Sequence, residues 1–412
     1  MALNRFAMVL LAVCGAAQAQ ETAPPISGQV RLQWDGRQAN TAGPLAAAHS
    51  LQAGLAALPV NGVMLETELR ASGQGLTGVL TLQQQRQDGS ATDSRAWVNE
   101  LFASHDAGAW QFSAGKKIVS WDVGYGYRPN DMVQQEVRRA LVSSTPEGRP
   151  MLVAEHFDAD TAWSLVWVNP TASVNAPGAQ EPALAARLYQ RFGAADAYGF
   201  ARLGARSGAS GGAALAWVTN EALELHSSLR FSKQVDSQAI DPSATALVAR
   251  NPWQPSSAQN VTQWLVGGTW TNQEQLSLLA EAWWDGSAPS DAQWSNWTQR
   301  NRQLSALAAR GAPAAAVAGN LAWQAQAFGV SQNLRRSNVY LRLSWQKEAW
   351  KPSLDLLYTP ADQGRVVTAA LTWQGDRVQV QGGVRVYGGP AQAVLAQLPS
   401  RQLAYVALTW AF

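Results

Sequence analysis

Apolar and polar residues alternate one by one through almost the whole chain, which is the pattern of β-strands with two different faces. The clearest example runs from Arg377 to Tyr387, where the valines fall on one face and Arg377, Gln379, Gln381 and Arg385 fall on the other. This alternation predicts an all-β protein. A soluble sandwich has the same period, so the period alone does not decide the architecture.

The lengths of the alternating segments point to a membrane barrel. Most are close to the roughly 9–11 residues with which a tilted strand crosses a bilayer. We predict about eighteen strands, near residues 28–36, 61–71, 75–87, 95–105, 109–120, 149–157, 160–169, 183–192, 195–206, 211–219, 222–233, 260–272, 275–286, 338–348, 350–360, 365–375, 377–388 and 401–412.

The gaps between these segments follow a parity rule. After each even-numbered segment the gap is one to three residues, whereas after odd-numbered segments it is often long, as at 37–60, 121–148, 234–259, 287–337 and 389–400. Transmembrane barrels are built in this way, with short periplasmic turns, long extracellular loops and an even number of strands. A sandwich has no reason to obey this parity, so we predict a single transmembrane antiparallel β-barrel.

The last strand carries a further signal. Val406, Leu408, Trp410 and Phe412 share one face, and the final residue is aromatic. This ending resembles the terminal strand of bacterial outer-membrane proteins. The resemblance implies recognition by the barrel-assembly machinery and a location in the outer membrane of a Gram-negative cell. To leave no open edge, the last strand has to pair with the first, near 28–36.

The N-terminus is typical of a secretory signal. Arg5 is followed by a short apolar run and by an Ala17-Gln18-Ala19 site, which predicts a signal peptide over 1–19 and one barrel domain over 20–412. A lipoprotein signal ending at Cys14 is the alternative. Removal of residues 1–19 also removes the sole cysteine, so we expect no disulfide and no thiol chemistry.

Composition narrows the function classes. The 31 Lys+Arg and 29 Asp+Glu nearly balance, which gives no support to nucleic-acid binding. The 19 tryptophans suit a protein with two membrane–water interfaces, because the indole ring is apolar and its N–H stays hydrated there. We therefore expect the lipid bilayer, and no nucleic acid, among the partners.

The segment that closes the fifth strand and opens the third extracellular loop, 115–139, is the most informative stretch. Its Gly-x-x-x-x-x-Trp and Arg-Pro-x-Asp patterns resemble a stretch of porin-like barrels of the alginate-export and substrate-specific type, over about 25 residues. In porin-like barrels this loop folds inward and narrows the pore. Opposed charges in such a loop select among solutes, or else pair with each other and anchor it. The candidate constriction residues are Arg128, Asp131, Glu136, Arg138 and Arg139.

The alternation also predicts which charges face the lumen. Arginine binds carboxylates and related oxyanions through a planar, bidentate contact, so an arginine-rich wall favours an anionic solute. Arginine–glutamate pairs that merely fill a wet interior are the alternative. The lumen-wall candidates are Arg187, Arg191, Arg202, Arg230, Arg342, Arg377, Arg385, Glu224 and Glu281.

The connection 287–337 is long and alanine-rich from Leu304 to Ala327. It can form a helix that lies over or in the mouth of the barrel as a lid. Alternatively, Leu321–Phe328 can supply an extra strand, which would change the strand number.

No enzyme signature accompanies this fold. His49, His105, His156 and His226 lack metal-ligand spacing, and no Gly-x-Ser-x-Gly motif is present, so we expect no catalysis, no metal and no cofactor. The leading hypothesis is an outer-membrane channel for small or extended polar solutes, which we expect to be anionic. An export conduit for an acidic exopolysaccharide and a non-conducting structural or adhesion barrel are the alternatives.

Overall fold

The computed structural model describes residues 26–134, 136 and 139–412. The predicted signal peptide and Cys14 lie outside these residues, as does Arg138. The described residues form eighteen strands, which are β1 Ile26–Ala39, β2 Gly62–Gly73, β3 Leu76–Gln87, β4 Asp93–Ala107, β5 Trp110–Lys117, β6 Arg149–Phe157, β7 Thr161–Val168, β8 Ala183–Phe192, β9 Ala195–Gly204, β10 Gly208–Asn220, β11 Leu223–Ile240, β12 Trp253–Thr271, β13 Leu276–Asp285, β14 Ser337–Trp345, β15 Trp350–Thr359, β16 Gly364–Gln374, β17 Val378–Gly388 and β18 Ser400–Ala411. The predicted strand number is confirmed.

Each strand pairs antiparallel with its neighbours in sequence, and the sheet closes on itself through β1 and β18. In this closing pair Gln29 lies opposite Ala411, and Gln38 lies opposite Gln402. The pairing continues to the last residue, since the N–H groups of Gly28 and Phe412 each donate to the other's carbonyl at 3.0 Å. The predicted pairing of the first and last strands is therefore confirmed, and the sheet is closed around the barrel.

The two faces of the wall differ in polarity, as the alternation predicts. On β18, Val406 and Leu408 are 50% and 44% exposed on the outer face, whereas Tyr405 and Ala407 are each 2% exposed on the inner face. A band of outward-facing Leu, Val, Phe and Trp side chains continues around the barrel. The wall of a transmembrane barrel needs such an apolar outer band, because lipid covers it in the bilayer.

The connections at one end of the barrel are all two to four residues long, at 74–75, 108–109, 158–160, 193–194, 221–222, 272–275, 346–349 and 375–377. The other end, which we call the long-connection end, carries connections of up to 51 residues at 286–336. Three connections at this end are short nevertheless, at 88–92, 205–207 and 360–363. Which end faces the periplasm stays a prediction.

The β13–β14 connection forms two helices, Asp291–Ala309 and Ala314–Gln324, followed by a 3₁₀ turn at Ala325–Gly329. The alternative of an extra strand at Leu321–Phe328 is thus wrong. A third helix, Pro44–Leu51, lies in the β1–β2 connection. Its Ala48 packs with Leu304, Val317 and Leu321 in one apolar cluster at the long-connection end. None of the helices in the described residues is long and apolar enough to cross a membrane.

The hairpin β11–β12 is longer than the alternation predicts. Its strands run to Ile240 and from Trp253, and their pairing continues from Leu223–Trp270 up to Ile240–Trp253. Ser257, Ser256 and Pro255 interrupt the apolar pattern in the added part, so the period-two signal is lost although the backbone ladder persists.

Candidate functional site

The described residues of the connection between β5 and β6, 118–134, 136 and 139–148, fold into the barrel interior, and we call them the inner segment. Arg230 of β11 donates to the carbonyl oxygen of Pro129 at 3.0 Å, and Gln381 of β17 donates to that of Leu141 at 3.0 Å. These two strands lie in well-separated parts of the wall. The inner segment therefore crosses the lumen.

Arg128 and Asp131, two of the predicted constriction residues, form an ion pair with each other inside the inner segment. The Nε atom of Arg128 donates to Asp131 at 2.8 Å, and Arg128 is only 4% exposed. Asp131 also accepts hydrogen bonds from the N–H of Trp121 at 2.7 Å and from the hydroxyl of Ser120 at 2.9 Å. The carboxylate of Glu136 lies 3.6 Å from Arg128 at the edge of this cluster. These charges hold the turn together, which is the anchoring interpretation.

Two lumen-wall candidates, Glu281 and Glu224, flank a histidine that the sequence analysis did not assign. His226 lies 2.8 Å from Glu281 through Nε2 and 3.1 Å from Glu224 through Nδ1. Glu281 also accepts the backbone N–H groups of Tyr125, at 2.7 Å, and Gly126, at 2.5 Å. A charged acceptor satisfies two backbone donors there, and it thereby fastens the inner segment to β13.

Gly126 and Gly124 are needed for close approach rather than for a left-handed backbone. Neither has a positive φ. A Cβ at Gly126 would lie 2.8 Å from Oε2 of Glu281, and one at Gly124 would collide with the backbone carbonyl of Tyr127. Close packing therefore requires glycine at both positions, since only glycine leaves room for these contacts.

Asn130 and Asp122 form a second fastening that the sequence analysis missed. The amide of Asn130 donates to the hydroxyl of Ser228 at 2.8 Å, and its backbone N–H donates to Asp122 at 2.6 Å. Ser228 also donates to Asp122, at 3.0 Å. Burial raises the pKa of Asp122 to about 6, although these hydrogen bonds act in the opposite direction. Nothing in the local sequence marks either residue, because the partner on β11 is about 100 positions away.

Apolar packing completes the attachment on this side. Trp121, Met132 and Val133 of the inner segment are each at most 5% exposed and pack against inward-facing residues of β6 to β10. Tyr127 stacks on Trp283 of β13 at 5.8 Å between ring centroids. We call this region, from β6 to β13, the packed half of the lumen.

The wall from β14 to β18, together with β1, borders open space, and we call it the cavity half; β2 to β5 belong to neither half. One cavity of about 180 Å³ is lined by Arg139, Tyr340, Asp355, Arg385 and Tyr387 among others. A second, of about 330 Å³, also borders Arg385 and Tyr387, and it extends to Asp35, Arg37 and Leu141. Free volume in the lumen thus lies beside the later part of the inner segment.

Two arginines approach each other in the cavity half. Nη2 of Arg385 donates to the backbone carbonyl of Arg139 at 3.1 Å, and its Nε donates to Thr368 at 2.9 Å. Arg139 donates to Asn333 at 3.2 Å and lies 5.2 Å from the ring centroid of Trp283. Neither arginine has an ion-pair partner among the ion pairs of the described residues, in contrast to Arg128.

The other predicted wall residues fall into three groups. Arg187, Arg230 and Arg342 face the lumen; Arg187 lies over the ring of Trp121 at 5.8 Å, and Arg342 lies 3.4 Å from Asp355. Arg202 pairs with Glu181 at 2.9 Å, close to the long-connection end.

Two predicted positions are exposed at the ends of strands, beside short connections. Arg191 is exposed at the end of β8, where its Nε donates to Gly193 at 3.2 Å. Arg377 is exposed in the short connection 375–377, and its backbone carbonyl accepts from the N–H of Ala411 at 2.8 Å. Its place on the lumen wall stays a prediction. Arg138 lies outside the described residues.

A search of the described residues for three or more His, Cys, Asp or Glu side chains able to hold a metal ion finds none. Glu224, His226 and Glu281 do cluster, but both ring nitrogens of His226 are engaged with carboxylates, one on each side.

No family model matches the sequence, and no curated protein matches it. Similar solved structures exist. Among them, mutants of the porin of Rhodopseudomonas blastica align over 94% of this chain and 99% of their own, with 11% sequence identity and a TM-score of 0.44. Another mutant of that porin aligns with 12% identity and a TM-score of 0.43 over the same shares. The barrel fold is established by the strands, their register and the closure between β1 and β18.

Proposed function

We propose that this protein is an outer-membrane channel for passive diffusion of small polar solutes, with a preference for anions. The observation that carries the proposal is the cavity half of the lumen. There, space remains between the inner segment and the wall, and arginine side chains border it. The apolar outward band supports insertion in a bilayer, and the closed backbone ladder satisfies every strand edge there.

The charge of the two cavities supports the anion preference. Arginines outnumber carboxylates by one in each lining, with Arg139 and Arg385 against Asp355 in one, and Arg37 and Arg385 against Asp35 in the other. Asp355 is already close to Arg342. A passing carboxylate or phosphate therefore meets guanidinium groups whose charge is not matched, and rings of arginine favour anions in a pore.

The outer-membrane location and the assembly route belong to the same proposal. The C-terminal strand ends in Trp410 and Phe412, whose rings lie 5.2 Å apart, and it closes the barrel against β1. Such a strand is accessible to the barrel-assembly machinery only before closure. We propose that this machinery inserts the chain after the signal peptide 1–19 has been removed.

The test is single-channel recording of the purified barrel in planar bilayers. In a potassium chloride gradient we expect a reversal potential on the anion side. The double variant Arg139→Gln/Arg385→Gln should lower the chloride-to-potassium permeability ratio by about twofold or more, because it removes both unmatched charges. Arg377→Gln is the matched control, since it removes the same charge from an exposed short connection that borders neither cavity. An equal shift in both variants, or no shift in either, contradicts the selectivity proposal.

A non-conducting structural barrel is the second candidate, and one observation favours it. The packed half of the lumen is closed by buried apolar side chains, and helices lie at the long-connection end. Complete absence of conductance steps from folded wild-type protein, and from a variant lacking 287–337, would favour that function. Export of an acidic exopolysaccharide needs a path that linked sugars can thread. The lumen cavities of about 180 and 330 Å³ do not favour it.

A further inference from the structure

A cleft of about 600 Å³ lies apart from the lumen, between the helix Asp291–Ala309 and the tip of the β11–β12 hairpin. It shares no lining residue with the two lumen cavities. Its size is within the roughly 300–1,000 Å³ that is usual for small-molecule sites. Apolar side chains such as Ile240, Ala327 and Val330 form part of its wall.

Arg300 borders this cleft, and its guanidinium group is buried and only partly hydrogen-bonded. It is 7% exposed, and one terminal nitrogen donates to the carbonyl of Ala244 at 3.1 Å. Its Nε and second terminal nitrogen are buried and have no hydrogen-bond acceptor. No ion pair joins Arg300 to any carboxylate in the described part of the chain. Burial lowers the pKa of Arg300.

The helix places this arginine where an apolar residue is expected. Trp294, Trp297 and Leu304 are the other buried residues of the helix, and they recur on the same face as Arg300. Arg302, two positions along, is exposed on the other side. A buried charge is unfavourable in a protein unless another group pairs with it. An anion bound beside Arg300 would therefore be stabilised.

A second unsatisfied donor borders the same cleft. The indole N–H of Trp253 is buried and has no acceptor. The indoles of Trp294 and Trp297, in contrast, already donate to the carbonyls of Leu334, at 2.7 Å, and Gln324, at 3.0 Å. The cleft therefore combines an apolar aromatic floor with donors from two different elements that lack acceptors.

One carboxylate, Asp241, also lines the cleft, but it is engaged elsewhere. It accepts hydrogen bonds from the backbone N–H of Ser243 at 2.9 Å and from its hydroxyl at 2.7 Å, and these bonds lower the pKa of Asp241. It stays ionised in its own turn and does not neutralise Arg300. Among the described residues, no carboxylate forms an ion pair with Arg300.

We propose that this cleft is a binding site for a small organic carboxylate carried on a ring. The carboxylate accepts hydrogen bonds from Arg300 and Trp253, and the ring lies against the apolar floor of the cleft. Arginine provides the planar, charge-assisted contact that suits a carboxylate, and an aromatic floor suits a flat body. The site is independent of conduction, because none of its residues borders the lumen cavities.

The experiment is calorimetric titration of the full barrel in detergent with two ring acids, benzoate and glucuronate. Benzyl alcohol and glucose serve as uncharged counterparts. We expect at least one ring acid to bind and its uncharged counterpart not to bind. The acid that binds distinguishes an aromatic ligand from an acidic sugar. Binding of neither acid, or equal binding of acid and counterpart, overturns the proposal.

Two variants test whether the bound acid contacts Arg300. Arg300→Gln should weaken binding by about tenfold or more, since it removes the charged donor. Arg302→Gln should leave binding unchanged, because it removes the same charge from the exposed face of the same helix. If Arg300→Gln binds as the wild type does, the proposal is wrong.

Should Arg300→Gln fail to fold, Trp253→Phe decides, because it removes only one donor and keeps a ring in place. We expect it to weaken binding by about threefold or more. Unchanged affinity in a folded Trp253→Phe barrel overturns the assignment.

Discussion

The two halves of the lumen use the same inner segment in different ways. In the packed half, Arg128, Asp131 and Glu281 are surrounded by hydrogen-bond partners, and apolar side chains exclude water. In the cavity half, Arg139 and Arg385 lie beside open volume and have no carboxylate partner in the described residues. Charged residues of one short stretch thus serve attachment at one end and border the opening at the other.

This difference explains how a narrow passage can be held in shape. A loop inside a wet lumen needs enough fixed contacts to offset the entropy lost when it is ordered. The packed half concentrates those contacts on β6 to β13, which leaves the later part of the segment free of the need to pair. We therefore expect substitutions in the packed half to change loop order and those in the cavity half to change selectivity.

The largest expected effect comes from Glu281→Ala. It removes the acceptor of the Tyr125 and Gly126 N–H groups and leaves His226 without its closest partner. Loss of one member of such a buried network costs about 3–5 kcal/mol. We expect the inner segment to detach, which chymotrypsin cleavage near Tyr125 and a larger unitary conductance would report.

Glu224→Ala is the matched control for that experiment. Glu224 also contacts His226, but its side chain is 33% exposed and no hydrogen bond joins it to the described part of the inner segment. We expect little cleavage in this variant. Equal cleavage in both variants would mean that Glu281 does not hold the segment.

The next effect is a pH dependence that originates at Asp122. Its pKa is raised from 3.8 to about 6 in the folded protein, so the folded state binds more protons than the unfolded state between these values. The contribution of Asp122 to the stability of the packed half is therefore fully present below about pH 4 and is lost as the pH rises towards 6. The shift corresponds to at most about 3 kcal/mol.

Hydrogen exchange of the inner segment, corrected for the intrinsic rate, measures this dependence. Protection should fall between pH 4 and pH 6 in the wild type, within the window set by the raised pKa of Asp122. Asp122→Asn should remove most of that change, because an amide does not titrate. A wild-type profile that is flat over this range would contradict the assignment.

A smaller loss is expected from Met132→Ala. Met132 is 4% exposed against the wall of the packed half, and truncation leaves a cavity there. Such substitutions destabilise by about 2 kcal/mol or more. Denaturant titration followed by tryptophan fluorescence measures it. If Met132→Ala lowers the free energy of unfolding less than an exposed surface substitution does, Met132 is not tightly packed against the wall.

The smallest stability effect is expected from Tyr387→Ala in the cavity half. Tyr387 is partly exposed and borders both lumen cavities. Because space already surrounds it, we expect a loss below about 1 kcal/mol, together with a modest rise in conductance. If Tyr387→Ala destabilised the barrel more than Met132→Ala, the distinction between the two halves would be wrong.

The wall could be predicted closely from the sequence, and the attachment of the inner segment could not. Strand β8 was predicted over 183–192 and is found at Ala183–Phe192, because its alternation is uninterrupted. The sequence identifies the charged residues at 128–139 as a group. It does not show which of them pair with each other and which face open space. Asp122 and Asn130 were missed, since their partner Ser228 is distant in sequence and on an ordinary strand.

The strand number, the outward apolar face and the closure by the last strand follow from the sequence alone. Each of these depends on a local period of two or on the order of long and short gaps. Folding adds that Arg128 is paired, that Arg139 borders a cavity, and that two nitrogens of the buried Arg300 have no acceptor. The environment of a charge depends on groups brought close by folding, such as Glu281 beside Gly126, and no local pattern encodes that distance.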